Sequence, residues 1–234
     1  MKIVAHRGYS GKDPELSPLA FEKALELPIF GVECDVHLSR DNVVVINHDS
    51  TLDRTSDRAG KIKDLDWIDI ARADIGGGQN PLRLEELLEM VMASNQHLYI
   101  ETKHTTGQGG RLEEAVVQRL REAGLVEDPR IHIISFSHRA IRRMHRHAPA
   151  LDRLYLRRDW ERHINRSDFL LSEPTGLGMS LLRAKLQPSA IGAHDLPTYL
   201  WTVDKTEDMK WAWANGVDVL ATNEPEVALH ALKY

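Results

Sequence analysis

Short apolar runs and amphipathic stretches alternate along almost the whole chain. "IVAH" at 3–6 has the β-branched bulk of a strand, and "SPLAFEKALEL" behind it has helical periodicity, with Ser17 as cap and Pro18 in the first turn. "VECDV" and "VVVIN" follow as strands joined at Asp41-Asn42, which reads as a two-residue hairpin loop. On that reading position 40 faces 43, and therefore 35 faces 48. Further on, "LRLEELLEMVMA" predicts a helix, "LYIET" a strand, and "RLEEAVVQRLREAG" a helix that Gly124 ends in a left-handed conformation. "IHIISF" precedes a helix capped by Ser137. Shorter strands are expected at "RLYL", "GLGMS", "YLWTV" and "VDVLATN", with helical segments between them and a last helix from Glu224.

Setting "VVVIN" aside as a return arm leaves eight strands, each followed by a helix or by room for one. That alternation predicts the α/β class and a closed (β/α)8 TIM barrel, one domain over 1–234. The polar, turn-rich stretch at about 50–81 is long for a connection and is expected to be a small insertion covering the barrel mouth. An open doubly wound sheet is the main alternative. It lacks a Gly-rich phosphate loop, since Gly76-Gly77-Gly78 follows a helix-like segment and reads as a turn.

Composition narrows the partners. The 234 residues carry a formal net charge of −5, which argues against nucleic acid or an anionic membrane surface as the main partner. Two short basic clusters, Arg142-Arg143 and Arg157-Arg158, read as solvated helix faces. Cys34 is the single cysteine, so no intrachain disulfide forms. With no apolar signal region and no membrane-length apolar window, the expectation is a soluble cytoplasmic protein.

Barrel enzymes build their sites at the C-terminal ends of the strands. Here those ends carry His6-Arg7, Glu33 and Asp35, Glu101 with Lys103, Ser135-Phe136, Trp201 and Thr222-Asn223. Glu33 and Asp35 are two apart on a strand and point the same way, while Cys34 points to the helices. Glu101, from a neighbouring strand, completes a three-carboxylate oxygen site suited to a hard cation, Mg²⁺ or Ca²⁺. The same acids also suit buried ion pairs with Arg7 and Lys103, and the two arrangements are compatible around a phosphate. The hairpin returns His48 beside Asp35, with His6 across from it. Two histidines flanking a cation-bound phosphate are the equipment of general acid–base phosphodiester cleavage. Of the other histidines, His138, His145 and His147 are expected in solvent, and His37, His97, His104, His132, His163, His194 and His230 are structural or peripheral.

With these residues in hand, the chain resembles the glycerophosphodiester phosphodiesterases. The resemblance is carried by "AHRG" with Glu15 behind it, by "VECDVHLSRDNVVVINHDSTLDRTSDRAGKIKDL", and by "IETK", "ISF", "WTVD" and "GVDVLATNEP" in order. It implies a phospholipase C-like TIM barrel that uses Mg²⁺ or Ca²⁺ to hydrolyse small glycerophosphodiesters to glycerol 3-phosphate and an alcohol. In that frame His6 and His48 take the acid–base roles and Glu33, Asp35 and Glu101 the metal. Arg7 and Lys103 hold the phosphate, with Glu15 beside them, and Trp201 and Phe136 line the pocket. A lysophospholipase D-like activity on lipids and a catalytically idle phosphodiester-binding barrel are the competing readings. The chain departs from the family at Leu16-Ser17, where Asn-Thr is usual, at Asp204, where Asn is common, and at Asn223, where Asp is common.

Overall fold

The computed structural model describes residues 1–104, 107–161 and 163–233. Eight parallel strands are present: β1 (Lys2–His6), β2 (Gly31–Leu38), β4 (His97–Thr102), β5 (Ile131–Ser135), β6 (Asp152–Leu156), β7 (Gly176–Ser180), β8 (Thr198–Trp201) and β9 (Val219–Thr222). They pair in that order, and β1 pairs with both β2 and β9, which closes the sheet into a barrel. A ninth strand, β3 (Val44–Ile46), lies antiparallel to β2.

Helices α1 (Pro18–Leu25), α3 (Leu84–Ser94), α4 (Arg111–Glu122), α5 (His138–His147), α6 (Arg166–Ser172), α7 (Leu181–Leu186), α8 (Thr206–Ala214) and α9 (Pro225–Leu232) follow the strands, and α2 (Trp67–Ile70) lies within the 50–81 stretch. The caps are those the sequence predicts: Ser17 accepts from the Ala20 N–H and Ser137 from the Ala140 N–H. Gly124 takes a φ of +73° behind α4. Among the described residues no helix is long and apolar enough to cross a membrane.

Two apolar layers share the strands. Val32, Cys34 and Val36 of β2, with Leu98 and Ile100 of β4, belong to the large outer core between sheet and helices. A smaller cluster fills the barrel itself, with Val4, Tyr99, Ile134, Leu154, Tyr199 and Val219 among its members. Alternation along β2 therefore sends Glu33 and Asp35 into the barrel, above that plug.

The hairpin corrects one expectation. Val36 pairs with Ile46, His37 with Val45 and Leu38 with Val44, so Ser39 faces Val43 and the loop has three residues, Arg40, Asp41 and Asn42. Ser39 binds both sides of the turn: its N–H donates to the Val43 carbonyl at 3.0 Å, and its hydroxyl accepts from the Val43 N–H at 2.9 Å. Asn42 closes the loop at a φ of +66°. A two-residue turn places both its residues in the loop centre, whereas a left-handed third residue adds one to the count. As a result Asn47, not His48, stands opposite Asp35, and its N–H donates to the Asp35 carbonyl at 3.0 Å.

The turn is testable on its own. Asn42→Val, which forces a β-branched residue into the left-handed region, should cost about 1–2 kcal/mol of unfolding free energy. Asn42→Gly, which enters that region freely, should cost less than Asn42→Val, and urea denaturation of the two variants reads the difference.

Candidate active site

Register assembles the site. In the β1–β2 pair His6 lies level with Glu33, and in the β2–β4 pair Asp35 lies level with Glu101. Side chains level with one another across paired strands are near neighbours, so three strands deliver three acids and a histidine to two successive levels of the barrel mouth, His6 with Glu33 and Asp35 with Glu101. Glu33, Asp35 and Glu101 are all buried, and each offers an oxygen within 4.8 Å of the other two.

Two cations hold this cluster. Lys103 Nζ lies 3.0 Å from Asp35 and 2.9 Å from Glu101. Arg7 Nε faces Asp35 Oδ2 at 3.3 Å, too poorly aligned for a hydrogen bond, so both atoms are buried without a hydrogen-bond partner. Arg7 is itself strained at a φ of +62°. Its N–H donates to Glu33 Oε2 at 3.0 Å. Gly8 follows, where a Cβ would come within 2.8 Å of the Ala20 backbone, so α1 packs directly on the turn.

Electrostatics separates the three acids. Burial and then Asp35 push Glu33 well above the usual carboxylate range, against Arg7. Burial and Asp35 likewise push Glu101 up to about 7, against Lys103. Burial also disfavours the charged form of Asp35, but Lys103 and Arg7 outweigh it and hold that carboxyl below its ordinary value. Asp35 is thus the anion of the group, and the other two are acids that a further positive charge would ionise.

Both histidines face the same cavity. It has a volume of 130 Å³, with a polar wall of His6, Arg7, Glu33, His48, Glu101 and Lys103 and an apolar wall that includes Ile134, Phe136, Leu156 and Trp201. Phe136 and Trp201 meet edge to face at 5.4 Å. His6 Nδ1 lies 2.9 Å from Asn223 Oδ1, and burial lowers its pKa to about 4. His48 sits beyond the end of β3, where its carbonyl accepts from His37 Nε2 at 3.1 Å and its Nδ1 donates to Asp49 at 2.7 Å. Burial, with Lys103 and Arg7, lowers its pKa too, against Asp35 and Asp49.

A chain of ion pairs ties His48 to the first loop. Asp49 accepts from Arg54 Nε at 2.5 Å, Arg54 NH2 reaches Glu15 at 2.7 Å, and Glu15 accepts from Arg7 at 3.1 Å. Leu16, where the family has Asn, is buried at a φ of +61° and donates its N–H to the Arg7 carbonyl at 3.0 Å. An apolar residue thus occupies a conformation that Asn adopts more readily.

Several other positions differ from expectation. His138 is half-buried, stacked on Tyr155 at 3.6 Å and bonded to Ser172. Arg157 is buried at the end of β6 instead of lying on a solvated helix face. Four histidines without an identifiable partner in the sequence have one: His37 as above, His104 on Glu113, and His97 on His132, which in turn contacts Asp152. Sequence reasoning missed Tyr199 altogether. It lies two residues before Trp201 on the same inner face, lines the cavity, and buries a hydroxyl without a hydrogen-bond partner. The strand period contained that signal.

Residues 6–227 match the glycerophosphoryl diester phosphodiesterase family. A Mycobacterium tuberculosis protein named "Probable glycerophosphodiester phosphodiesterase 1" is 32% identical, with 95% of this chain and 89% of that protein covered. A glycerophosphodiester phosphodiesterase of Caldanaerobacter subterraneus is 28% identical, with 99% and 97% covered. An Oleispira antarctica phosphodiesterase, solved in complex with the product sn-glycerol-3-phosphate, shares the fold at a TM-score of 0.91 and 24% identity, over 100% of this chain and 97% of that one.

The electrostatic asymmetry makes a prediction for metal-free protein in chelator. Asp35→Asn should destabilise by about 3–5 kcal/mol, because it leaves Lys103 and Arg7 short of their counter-charge. Glu101 behaves oppositely. Its folded pKa of about 7 lies above the ordinary 4.5, so the folded state binds the proton more tightly and this group's contribution is lost as pH rises between those values. Glu101→Gln should flatten the fall in melting temperature across that window.

Proposed function

The chain belongs to the glycerophosphoryl diester phosphodiesterase family, and we propose that it hydrolyses small glycerophosphodiesters to glycerol 3-phosphate and an alcohol. The observation that carries this reading is the cluster formed by Glu33, Asp35, Glu101 and His6 on three paired strands, with His48 facing the same cavity.

The acids fit a divalent cation. Three buried carboxylates against Arg7 and Lys103 leave one negative charge in excess when all are ionised, and Asp35 keeps a buried oxygen without a hydrogen bond. A divalent cation turns that excess into one positive charge, equal and opposite to a phosphodiester. The all-oxygen donor set selects a hard ion, Mg²⁺ or Ca²⁺. Bound there by Glu33, Asp35 and Glu101, the ion would supply the charge that neutralises the phosphoryl oxygens.

The chain's own residues do the rest. Arg7 and Lys103, which already line the cavity, would hold the phosphate, and Glu15 with Arg54 fixes the Arg7 guanidinium in place. His6, kept neutral by burial, takes the proton from the attacking oxygen, which is either water or the neighbouring glycerol hydroxyl, whose cyclic phosphate water then opens to glycerol 3-phosphate. His48 gives a proton to the leaving oxygen, its imidazolium steadied by Asp49 on Nδ1 and by Asp35. Phe136 and Trp201 line the path of the glycerol arm. The stretch at 50–81 acts as a cover within a single domain, anchored by Arg54. The polar character of the 50–81 stretch favours a water-soluble diester over a lipid. The single buried cysteine suits a reducing, cytoplasmic setting.

Purified protein with Mg²⁺ or Ca²⁺ should release glycerol 3-phosphate from glycerophosphocholine, glycerophosphoethanolamine or glycerophosphoglycerol, and a chelator should abolish the release. His6→Ala and His48→Ala should each lower kcat by about 10²–10⁴-fold. No glycerol 3-phosphate from any headgroup with either metal would sink the proposal.

A further inference from the structure

His6 and His48 differ in what stands behind the ring. His48 leans on a carboxylate, which only accepts, so its Nδ1 carries the hydrogen. His6 leans on the Asn223 amide, whose two ends have nearly the same shape and opposite hydrogen-bonding sense. Two complete networks therefore exist at His6. With Asn223 Oδ1 toward the ring, Nδ1 carries the hydrogen and Nε2 offers the cavity a lone pair. With the amide turned over, Nδ2 donates to Nδ1, and Nε2 faces the cavity as a donor.

Ser10 does not choose between them. Its hydroxyl lies 2.7 Å from the His6 carbonyl oxygen and 2.8 Å from the Asn223 amide. It can donate to the amide oxygen, or donate to the carbonyl while accepting from a turned amide. The choice falls to Asp204. Asp204 Oδ2 lies 2.9 Å from Asn223 Nδ2, and Oδ1 accepts the Asn223 backbone N–H at 2.8 Å. Oδ1 also takes the Thr222 hydroxyl at 3.0 Å, while that hydroxyl accepts from the Glu224 N–H at 3.0 Å, which directs its hydrogen at Asp204. A turned amide would set its oxygen against a carboxylate oxygen.

We infer that Asp204, which does not line the cavity, is a positioning residue. It fixes the Asn223 amide and, through it, the tautomer in which His6 Nε2 accepts a proton. The orientation costs the site no charge beside the ring, because the carboxylate stands one amide away. A neutral base is thereby obtained without a carboxylate in contact with it.

The inference rests on His6 as the base proposed above, but its first test needs no turnover. ¹⁵N NMR of labelled imidazoles, with the His6 signals identified by their loss in His6→Gln, should show the Nδ1–H tautomer alone in wild type. Asp204→Asn, whose amide oxygen is claimed by the Asn223 N–H and the Thr222 hydroxyl and whose NH2 therefore faces the Asn223 amide, should turn that amide and shift His6 toward the Nε2–H tautomer. It should also lower kcat by about tenfold or more with KM changed less than about twofold. The exchanged pair Asp204→Asn/Asn223→Asp should restore the tautomer and most of the rate, because a carboxylate then accepts from Nδ1 directly. Should Asp204→Asn fail to fold, Asp204→Ala serves with the same readout. A pure Nδ1–H signal in the folded Asp204 variant, or an exchanged pair as slow as the single variant, would overturn the inference. A chain inactive on every diester whose tautomer still shifts in Asp204→Asn would overturn the proposed activity and leave the inference standing.

Discussion

Like charges packed out of water must be compensated, and in this barrel that requirement governs the whole mouth. Glu33, Asp35 and Glu101 are buried with oxygens within 4.8 Å of one another, at depths where isolated carboxylates do not survive. Arg7 and Lys103 compensate them only in part, and the division falls unevenly, with Asp35 held as the anion and its neighbours pushed toward the protonated form. A site in that condition is unfinished by design. Its remaining demand for positive charge is what the proposed divalent cation would meet.

The surrounding structure serves to hold the unfinished state. Arg7 is kept in a left-handed conformation by the Glu33 carboxylate on its N–H and by the packing of α1 against Gly8. The ion-pair chain from Arg7 through Glu15, Arg54 and Asp49 to His48 links the first loop, the 50–81 stretch and the second histidine. Part-exposed pairs of this kind contribute little to stability one by one, yet as a series they couple the placement of Arg7 to that of His48.

The barrel was legible because its signals are local and periodic. The alternation of Glu33 and Asp35 with Cys34 reports the inner and outer faces of β2 directly, and the Ser17 and Ser137 caps report helix starts. What failed to show depends on contacts between distant segments. The hairpin register turned on Asn42 adopting a left-handed φ, which the Asp-Asn pair alone does not decide. His48 reaches the cavity all the same, through the turn beyond β3 instead of through pairing with Asp35. Arg157 and His138 looked solvated because a basic run reads as surface, whereas burial came from the packing of neighbouring elements. The clustering of the three carboxylates was within reach because strand polarity and spacing suffice to bring them together. The Asp204–Asn223–His6 chain joins residues 217 positions apart and shows in the sequence only as two departures from the family pattern.

The two faces of β2 and β4 have a consequence for how such a chain can change. Val32, Cys34, Val36, Leu98 and Ile100 face the helices and belong to the large core, while the intervening Glu33, Asp35 and Glu101 face inward. Cohesion and chemistry are thus drawn from opposite sides of the same few residues of backbone. A change on the outer face alters how firmly sheet and helices hold, and a change at Glu33, Asp35 or Glu101 alters the charge at the mouth. Packing against the helices and charge at the mouth are therefore set by separate positions of the same two strands.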